Sequence, residues 1–245
     1  MTVETLPQQF IDADNIFNLR DVGGWNAADG KKVRTGQVFR SDNLGLATEA
    51  DLDLLVNQLG IRHVIDLRRA EEWDVAGRFP EIDEVEFHHF ELLHVKWENL
   101  GRDFPRGEED VVPFLRQRYS GMYEAGYVSI RDSLDVIASG EPVLFHCMAG
   151  KDRTGLVAAA LLSVLGVEEE DIAADYELSN VGIARWRVWR DANIGKPWKE
   201  SGLNTPAVAM LETLEEMKTR FGSMTAYVAA TGFDRPEALR SLLLE

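Results

Sequence analysis

Apolar residues recur along this chain in two periods, and the switching between them predicts alternating helices and strands. After Thr48, Leu52, Leu55, Val56 and Leu59 fall on one face of a helix. Thr48 with Asp51 has the spacing of a capping pair, and Gly60 is placed to end that helix. Residues 61–67 read as a strand ending in Asp66-Leu67-Arg68, and residues 85–92 as another. Upstream, residues 24–39 have the pattern of a hairpin, with Asp29-Gly30 as turn chemistry between Trp25 and the pair Val33 and Val38-Phe39.

Beyond the loop 96–107, helical stretches run through Tyr119 and Ile137, followed by Gly140 and the short apolar strand Pro142-Val143-Leu144-Phe145. Residues 154–165 then read as a buried helix, with Leu156, Ala159, Ala160, Ser163 and Val164 on its packed face and Gly166 behind it. The remainder is helical in pattern. Thr205-Pro206 reads as a cap with proline at the first helical position, and Asp234 to Glu237 repeats the capping-box spacing. Strands alternating with helices predict an α/β fold: a mainly parallel central sheet flanked by helices on both faces, with ligands met at the carboxyl ends of the strands.

Composition narrows the function. At 245 residues and 45% hydrophobic content, one domain spanning 1–245 is expected. A net charge of -16 excludes broad nucleic-acid binding, which depends on clustered Lys and Arg, so an anionic ligand needs a local cationic pocket. The longest nearly apolar run, residues 156–167, is too short to span a bilayer. Residues 1–14 have neither a basic start nor an apolar stretch, so no secretory signal is expected and a cytoplasmic location is the default. The single cysteine, Cys147, rules out an intrachain disulfide and a multi-cysteine zinc site.

Chemistry concentrates in His146-Cys147-Met148-Ala149-Gly150-Lys151-Asp152-Arg153-Thr154-Gly155, between a buried strand and a buried helix. A loop of this length between Cys147 and Arg153 can curl so that successive backbone N–H groups point inward, forming an anion nest with the helix N-terminus. Arg153 brings a planar fork for two phosphate oxygens, and Gly150 lets the backbone approach closely. Such a cradle favours a thiolate at Cys147, able to attack phosphorus without a dedicated base and without a metal or other cofactor. Thr154 is placed to donate its hydroxyl to the sulfur, and His146 to brace the loop. Met148, Ala149, Gly150 and Lys151 complete the expected binding loop, where Lys151 is suited to a second anionic group.

This segment resembles the active-site signature of the protein tyrosine phosphatase superfamily. Its Gly-Lys-Asp-Arg-Thr-Gly form is similar to a bacterial branch acting on both phosphotyrosine and phosphoinositides. Asn18-Leu19-Arg20-Asp21-Val22-Gly23-Gly24 resembles that branch's N-terminal motif, with Leu19 in place of an aromatic residue. Phe39-Arg40-Ser41, Asp66-Leu67-Arg68 with Glu72, Asp175-Tyr176-Glu177-Leu178-Ser179-Asn180 and Phe221-Gly222-Ser223 before Tyr227 also match. The resemblance implies a tyrosine-phosphatase-like fold and a cysteinyl-phosphate mechanism on phosphorylated proteins or phosphoinositides.

The Trp-Pro-Asp loop that supplies the general acid in animal-type enzymes is not recognisable. Asp152 is the preferred acid, because myotubularin-type lipid phosphatases have an aspartate immediately before the arginine. Asp66, at a strand's carboxyl end, is the rival, with an arginine-orienting role as its plainer reading. Arg20 and Asp21 are read as structural, fixing the N-terminal loop. Two other classes use similar parts: a silent phosphate-binding module, and a rhodanese-like sulfurtransferase with a loop cysteine. Among His88, His89 and His94, neighbours on a strand face opposite sides, so they read as ordinary strand positions and not as a metal site. The stretch 185–190 with 196–199 is a basic aromatic cluster, read first as a helix packing its tryptophans on the core or over the site, and second as a surface for a membrane or phosphorylated partner.

Overall fold

Val143, Leu144 and Phe145 are all fully buried, yet they belong to two different apolar clusters. Successive side chains on a strand point to opposite faces, so a continuous apolar run requires both faces to be covered. Val64 and Ile65 divide in the same way, as do Val38 and Phe39. The structure, a computed structural model, describes residues 6–92, 105, 107–194 and 204–245. The expected loop 96–107, His94 and the second basic stretch 196–199 fall largely or wholly outside these residues.

The sheet contains β1 (Arg20–Asp21), β2 (Val38–Ser41), β3 (His63–Asp66), β4 (Glu86–His89) and β5 (Val143–His146), in the order β1-β2-β5-β3-β4. β2, β5, β3 and β4 run parallel, and β1 joins antiparallel beside β2. Their register aligns Ser41, His146, Asp66 and His89 in one row at the carboxyl ends. That row underlies the site.

The expected flanking is present but unequal. On one face pack α3 (Val111–Ala125), α4 (Tyr127–Ile137), α5 (Asp152–Leu165), α6 (Glu169–Glu177), α8 (Ala207–Phe221), α9 (Met224–Ala230) and α10 (Pro236–Leu243), all contributing to the larger cluster. On the other, Leu55 and Val56 pack with Ile16, Leu19 and Phe79. These two follow α1 (Glu49–Asp53), which continues into a wider π-helical turn over Leu54–Gln58. Two further helices, α2 (Ala70–Ala76) and α7 (Ser179–Asn193), lie nearer the surface.

Local chemistry explains several boundaries. Asp51 N–H donates to Thr48 Oγ1 at 3.1 Å while Thr48 N–H donates to Asp51 Oδ2 at 2.9 Å, the expected reciprocal cap. α5 ends where Gly166 takes a left-handed φ of 79°. The hairpin closes earlier than its pattern suggested: Asn26 bridges Lys32 around Asp29 and Gly30, and residues 38–41 instead enter the central sheet as β2. Pro206 stands just before α8 and not at its first position, and α10 starts at Pro236 after Arg235, with no side-chain cap from Asp234. On α7, Trp189 packs against Phe17 at 5.4 Å between ring centroids and Arg185 donates to the Phe17 carbonyl at 3.1 Å. The first basic aromatic stretch thus covers the N-terminal segment.

Candidate active site

Residues 147–151 link the end of β5 to the start of α5, directly over the aligned carboxyl ends. Three successive carbonyls of this loop are held from outside. Asn43 N–H donates to Met148 O at 3.1 Å, Asn18 Nδ2 to Ala149 O at 2.9 Å and Arg40 Nη2 to Gly150 O at 2.8 Å. Across a trans peptide, C=O and N–H point in opposite directions, so the N–H groups of Ala149, Gly150 and Lys151 are turned inward. Gly150 has φ of 65°, and a Cβ there would meet the Ser41 carbonyl oxygen at 2.5 Å. Only glycine accommodates this approach. Lys151 is buried, while Met148 and Ala149 are half-buried at the rim.

Behind the loop stands a fully buried ion cluster. Asp175 on α6 receives Arg20 Nε at 3.2 Å and Arg40 Nη1 at still closer range. Arg20 also bonds Asn18 Oδ1, turning the Asn18 amide toward Ala149. Burial, which would raise the Asp175 pKa, is outweighed by Arg40 and Arg20, and the carboxyl is held below its ordinary value. Burial together with Arg40 lowers Arg20 to about 10 against the pull of Asp175. One partner removed would strand a buried charge, so these residues act as one brace. Asp21 does a separate task, accepting from Gly23 N–H at 2.7 Å and Gly36 N–H at 2.6 Å.

Arg153, in the first turn of α5, forms a two-bond pair with Glu72 of α2: Nη1 to Oε2 at 2.6 Å and Nη2 to Oε1 at 2.9 Å. Each terminal nitrogen keeps a second N–H, and Nε keeps its own, so the fork is oriented without being used up. Burial would raise Glu72, but Arg153 outweighs it and holds the carboxyl down to about 2. For Arg153 burial is likewise outweighed, by Glu72 and then by Cys147, and its pKa rises.

Asp66 has no accessible surface and is saturated with donors. It accepts from Arg68 Nε and Nη2, from Arg68 N–H, and from Trp73 Nε1 at 2.9 Å. Burial, which would raise it, is outweighed by His146 and Arg68, and its pKa falls to about 2. His146 is fully buried, with Nδ1 3.3 Å from the Cys147 carbonyl oxygen and Nε2 3.6 Å from Asp66. Burial pushes it down to about 4, so it is neutral at pH 7. The two residues are paired at the carboxyl ends of β3 and β5, immediately before the loop begins.

Asp152 opens α5 and is partly exposed. Tyr119 Oη, from α3, donates to Asp152 Oδ1 and lies 2.7 Å from Tyr176 Oη, while Lys151 Nζ is 3.7 Å from the same carboxyl oxygen. Burial would raise Asp152, but Lys151, Tyr119 and Arg118 outweigh it and lower its pKa. The expected donation from Thr154 to sulfur is not made: Thr154 Oγ1 is buried and has no hydrogen-bond partner among the described residues. The side chains missed by sequence reasoning are Tyr119 and Glu72 in its clamping position. A matching fragment flagged Glu72, whereas nothing local marked Tyr119.

Residues 11–245 match the model of the tyrosine phosphatase family. The chain belongs to that family. It is 34% identical over 172 residues to a Cupriavidus necator protein named for tyrosine-protein phosphatase activity, a match covering 68% of this chain and 62% of the relative's length. It is 28% identical to the triple specificity protein phosphatase PtpB of Mycobacterium tuberculosis, covering 67% of this chain and 70% of that protein. Among solved structures it is similar to the core catalytic domain of the S. cerevisiae PP-IP phosphatase SIW14, at 14% identity and a TM-score of 0.37, covering 78% of this chain and 90% of that one. Among the described residues no helix is long and apolar enough to cross a membrane.

Proposed function

We propose that this chain is a cysteine-dependent phosphatase that hydrolyses phosphotyrosine monoesters through a phosphate bonded to Cys147. The observation that carries this reading is the cradle itself: inward N–H groups over the sheet's carboxyl ends, closed by an Arg153 fork that Glu72 holds in place. Donors fixed in advance stabilise charge on the equatorial oxygens without reorganising as the reaction proceeds. In the first step the sulfur forms a bond to phosphorus and the bond to the leaving oxygen breaks, with Asp152 giving that oxygen its proton. In the second, Asp152 takes a proton from water, which attacks phosphorus and releases Cys147 and inorganic phosphate. Asp152 is lowered before substrate arrives, as its base role requires. The negative charge of a bound phosphoryl group raises its proton affinity for the acid role.

Lys151, together with Arg118 close enough to act electrostatically on Asp152, supplies positive charge beyond what one phosphoryl group needs. This supports a range extending to phosphoinositides and to phosphoserine or phosphothreonine, in keeping with the triple specificity in the name of one relative. The test is phosphate release from a phosphotyrosine peptide and a phosphoinositide in metal-chelated buffer, with Cys147→Ser as control. The reading requires turnover by the parent and none above background in the variant. Thiosulfate sulfurtransfer without phosphate release would replace it with the sulfurtransferase reading.

A further inference from the structure

His63 opens β3 at the end of the strand away from the phosphate loop, and His88 and His89 lie on the neighbouring edge strand β4. His88 and His89 face opposite sides, as their adjacency predicts: His89 Nε2 reaches the Arg68 carbonyl at 2.7 Å, while His88 turns toward β3. A partner that sequence spacing could not reveal meets it there. His63 Nδ1 is 3.0 Å from His88 Nε2. Glu86, directly opposite His63 in the register, brings Oε2 to 3.7 Å from His63 Nδ1 and Oε1 to 3.8 Å from His88 Nε2.

Two imidazole nitrogens and the two oxygens of one carboxylate therefore converge from two strands. Two ligands bound about 2.0–2.1 Å from a tetrahedral ion lie about 3.3 Å apart, the spacing around which these distances scatter. A fourth group stands behind them. Glu141 Oε2, from the turn before β5, is 3.2 Å from His63 Nε2, so it fixes the ring with Nε2 protonated and Nδ1 free to coordinate. We propose that His63 Nδ1, His88 Nε2 and Glu86 bind a divalent transition-metal ion of the zinc class, with Glu141 as the outer carboxylate.

Two imidazoles with one carboxylate suit zinc and its neighbours, whereas calcium and magnesium take oxygen ligands. The histidines are largely buried, but the Glu86 side chain is 68% exposed, which leaves an entry path and room for water as a further ligand. The ion's effect falls on β4: it fastens the edge strand to β3 and, through Glu141, to the turn that leads into β5. It stands apart from phosphate chemistry and is independent of the proposed phosphatase activity.

The experiment uses the full chain carrying Cys147→Ser, which removes the only thiol as a competing ligand. Zinc is titrated into metal-stripped protein by calorimetry, and thermal melting is followed alongside. Expected are one ion per chain and a Tm rise of roughly 5–10 °C when free zinc exceeds Kd about a hundredfold. Cobalt in its place should give the visible absorption of a tetrahedral nitrogen and oxygen site. Glu86→Gln, a change on an exposed side chain that leaves the fold alone, and His88→Ala should each weaken zinc binding at least about tenfold, and Glu141→Gln about 10- to 100-fold. Lowering the pH through the histidine range should release the ion. Absence of stoichiometric binding, or binding unchanged in both Glu86→Gln and His88→Ala, would overturn the proposal and leave the two histidines as a proton-sharing pair.

Discussion

Tyr119 and Tyr176 meet hydroxyl to hydroxyl at 2.7 Å, and Tyr119 passes its hydrogen bond on to Asp152. This relay stabilises the Asp152 carboxylate, as does Lys151, and so governs the group proposed to move the proton. Asp152→Asn keeps the shape but removes that proton. Phosphotyrosine turnover should fall by about 10² to 10⁴, while an activated aryl phosphate, whose leaving group needs no proton, should lose far less. Tyr119→Phe withdraws a donor from the carboxylate, so the Asp152 pKa rises and the basic limb of the phosphotyrosine rate profile should move to higher pH. The rate profiles of the two variants check both statements; an unmoved limb in Tyr119→Phe and a surviving limb in Asp152→Asn would assign the proton elsewhere. Asp66 is a poor alternative, enclosed by Arg68 and Trp73 and held at about 2.

Helix α2 shows how an element without a buried face can still set the chemistry. None of its residues is buried, yet it holds Glu72 against Arg153 and caps itself through Arg69 N–H to Glu72 Oε2 at 2.9 Å. Glu72→Gln keeps one acceptor but loses the charge and half the fork. Misplacing a positioning group can cost on the order of 10²-fold, so kcat/KM should drop by about 10- to 100-fold, and loss of the carboxylate paired with buried Arg153 should lower the melting temperature as well. Steady-state kinetics on the variant decides this, and an unchanged kcat/KM would mean that Arg153 orients itself. The sequence pattern revealed β3, β5 and α5 because their apolar periods are strong. It passed over α2, which has no apolar stripe to repeat. The hairpin pattern overruns its true end for a related reason: Val38 and Phe39 extend the apolar run but pair with β1 and β5. Within the site, the loop could be read as one contiguous segment. Tyr119 could not, because it reaches Asp152 from another helix, and His63 with His88 meet only once two strands are paired.

At the scale of the whole molecule, one sheet carries both apolar clusters, and we propose that the chain unfolds as a single unit. Its pH dependence has two opposing arms. Asp66 and Glu72 are held at about 2, below the ordinary carboxyl range, so the stability they contribute is complete above about pH 4.5 and is lost as pH falls through 2. Asp42 behaves oppositely: burial raises it to about 7 despite the Asn18 and Phe17 N–H groups it accepts. Between about pH 4 and 7 the folded chain binds a proton there that the unfolded chain does not, so Asp42 by itself lowers stability as pH rises across that window, while His146, held at about 4 by burial, raises it over much of the same range. Asp42→Asn should remove that contribution, so that in denaturant titrations stability rises more steeply with pH between about 4 and 7 than in the parent, whereas the same pH dependence in both would show that Asp42 holds no extra proton in the folded chain. The phosphate loop is proposed to act through a covalent bond between Cys147 and phosphorus. The most direct measurement is the intact mass of the whole chain, acid-quenched during phosphotyrosine turnover and then mapped by peptide. One phosphoryl group on Cys147, absent in Cys147→Ser, is expected. Steady turnover with no phosphate on Cys147 would contradict it.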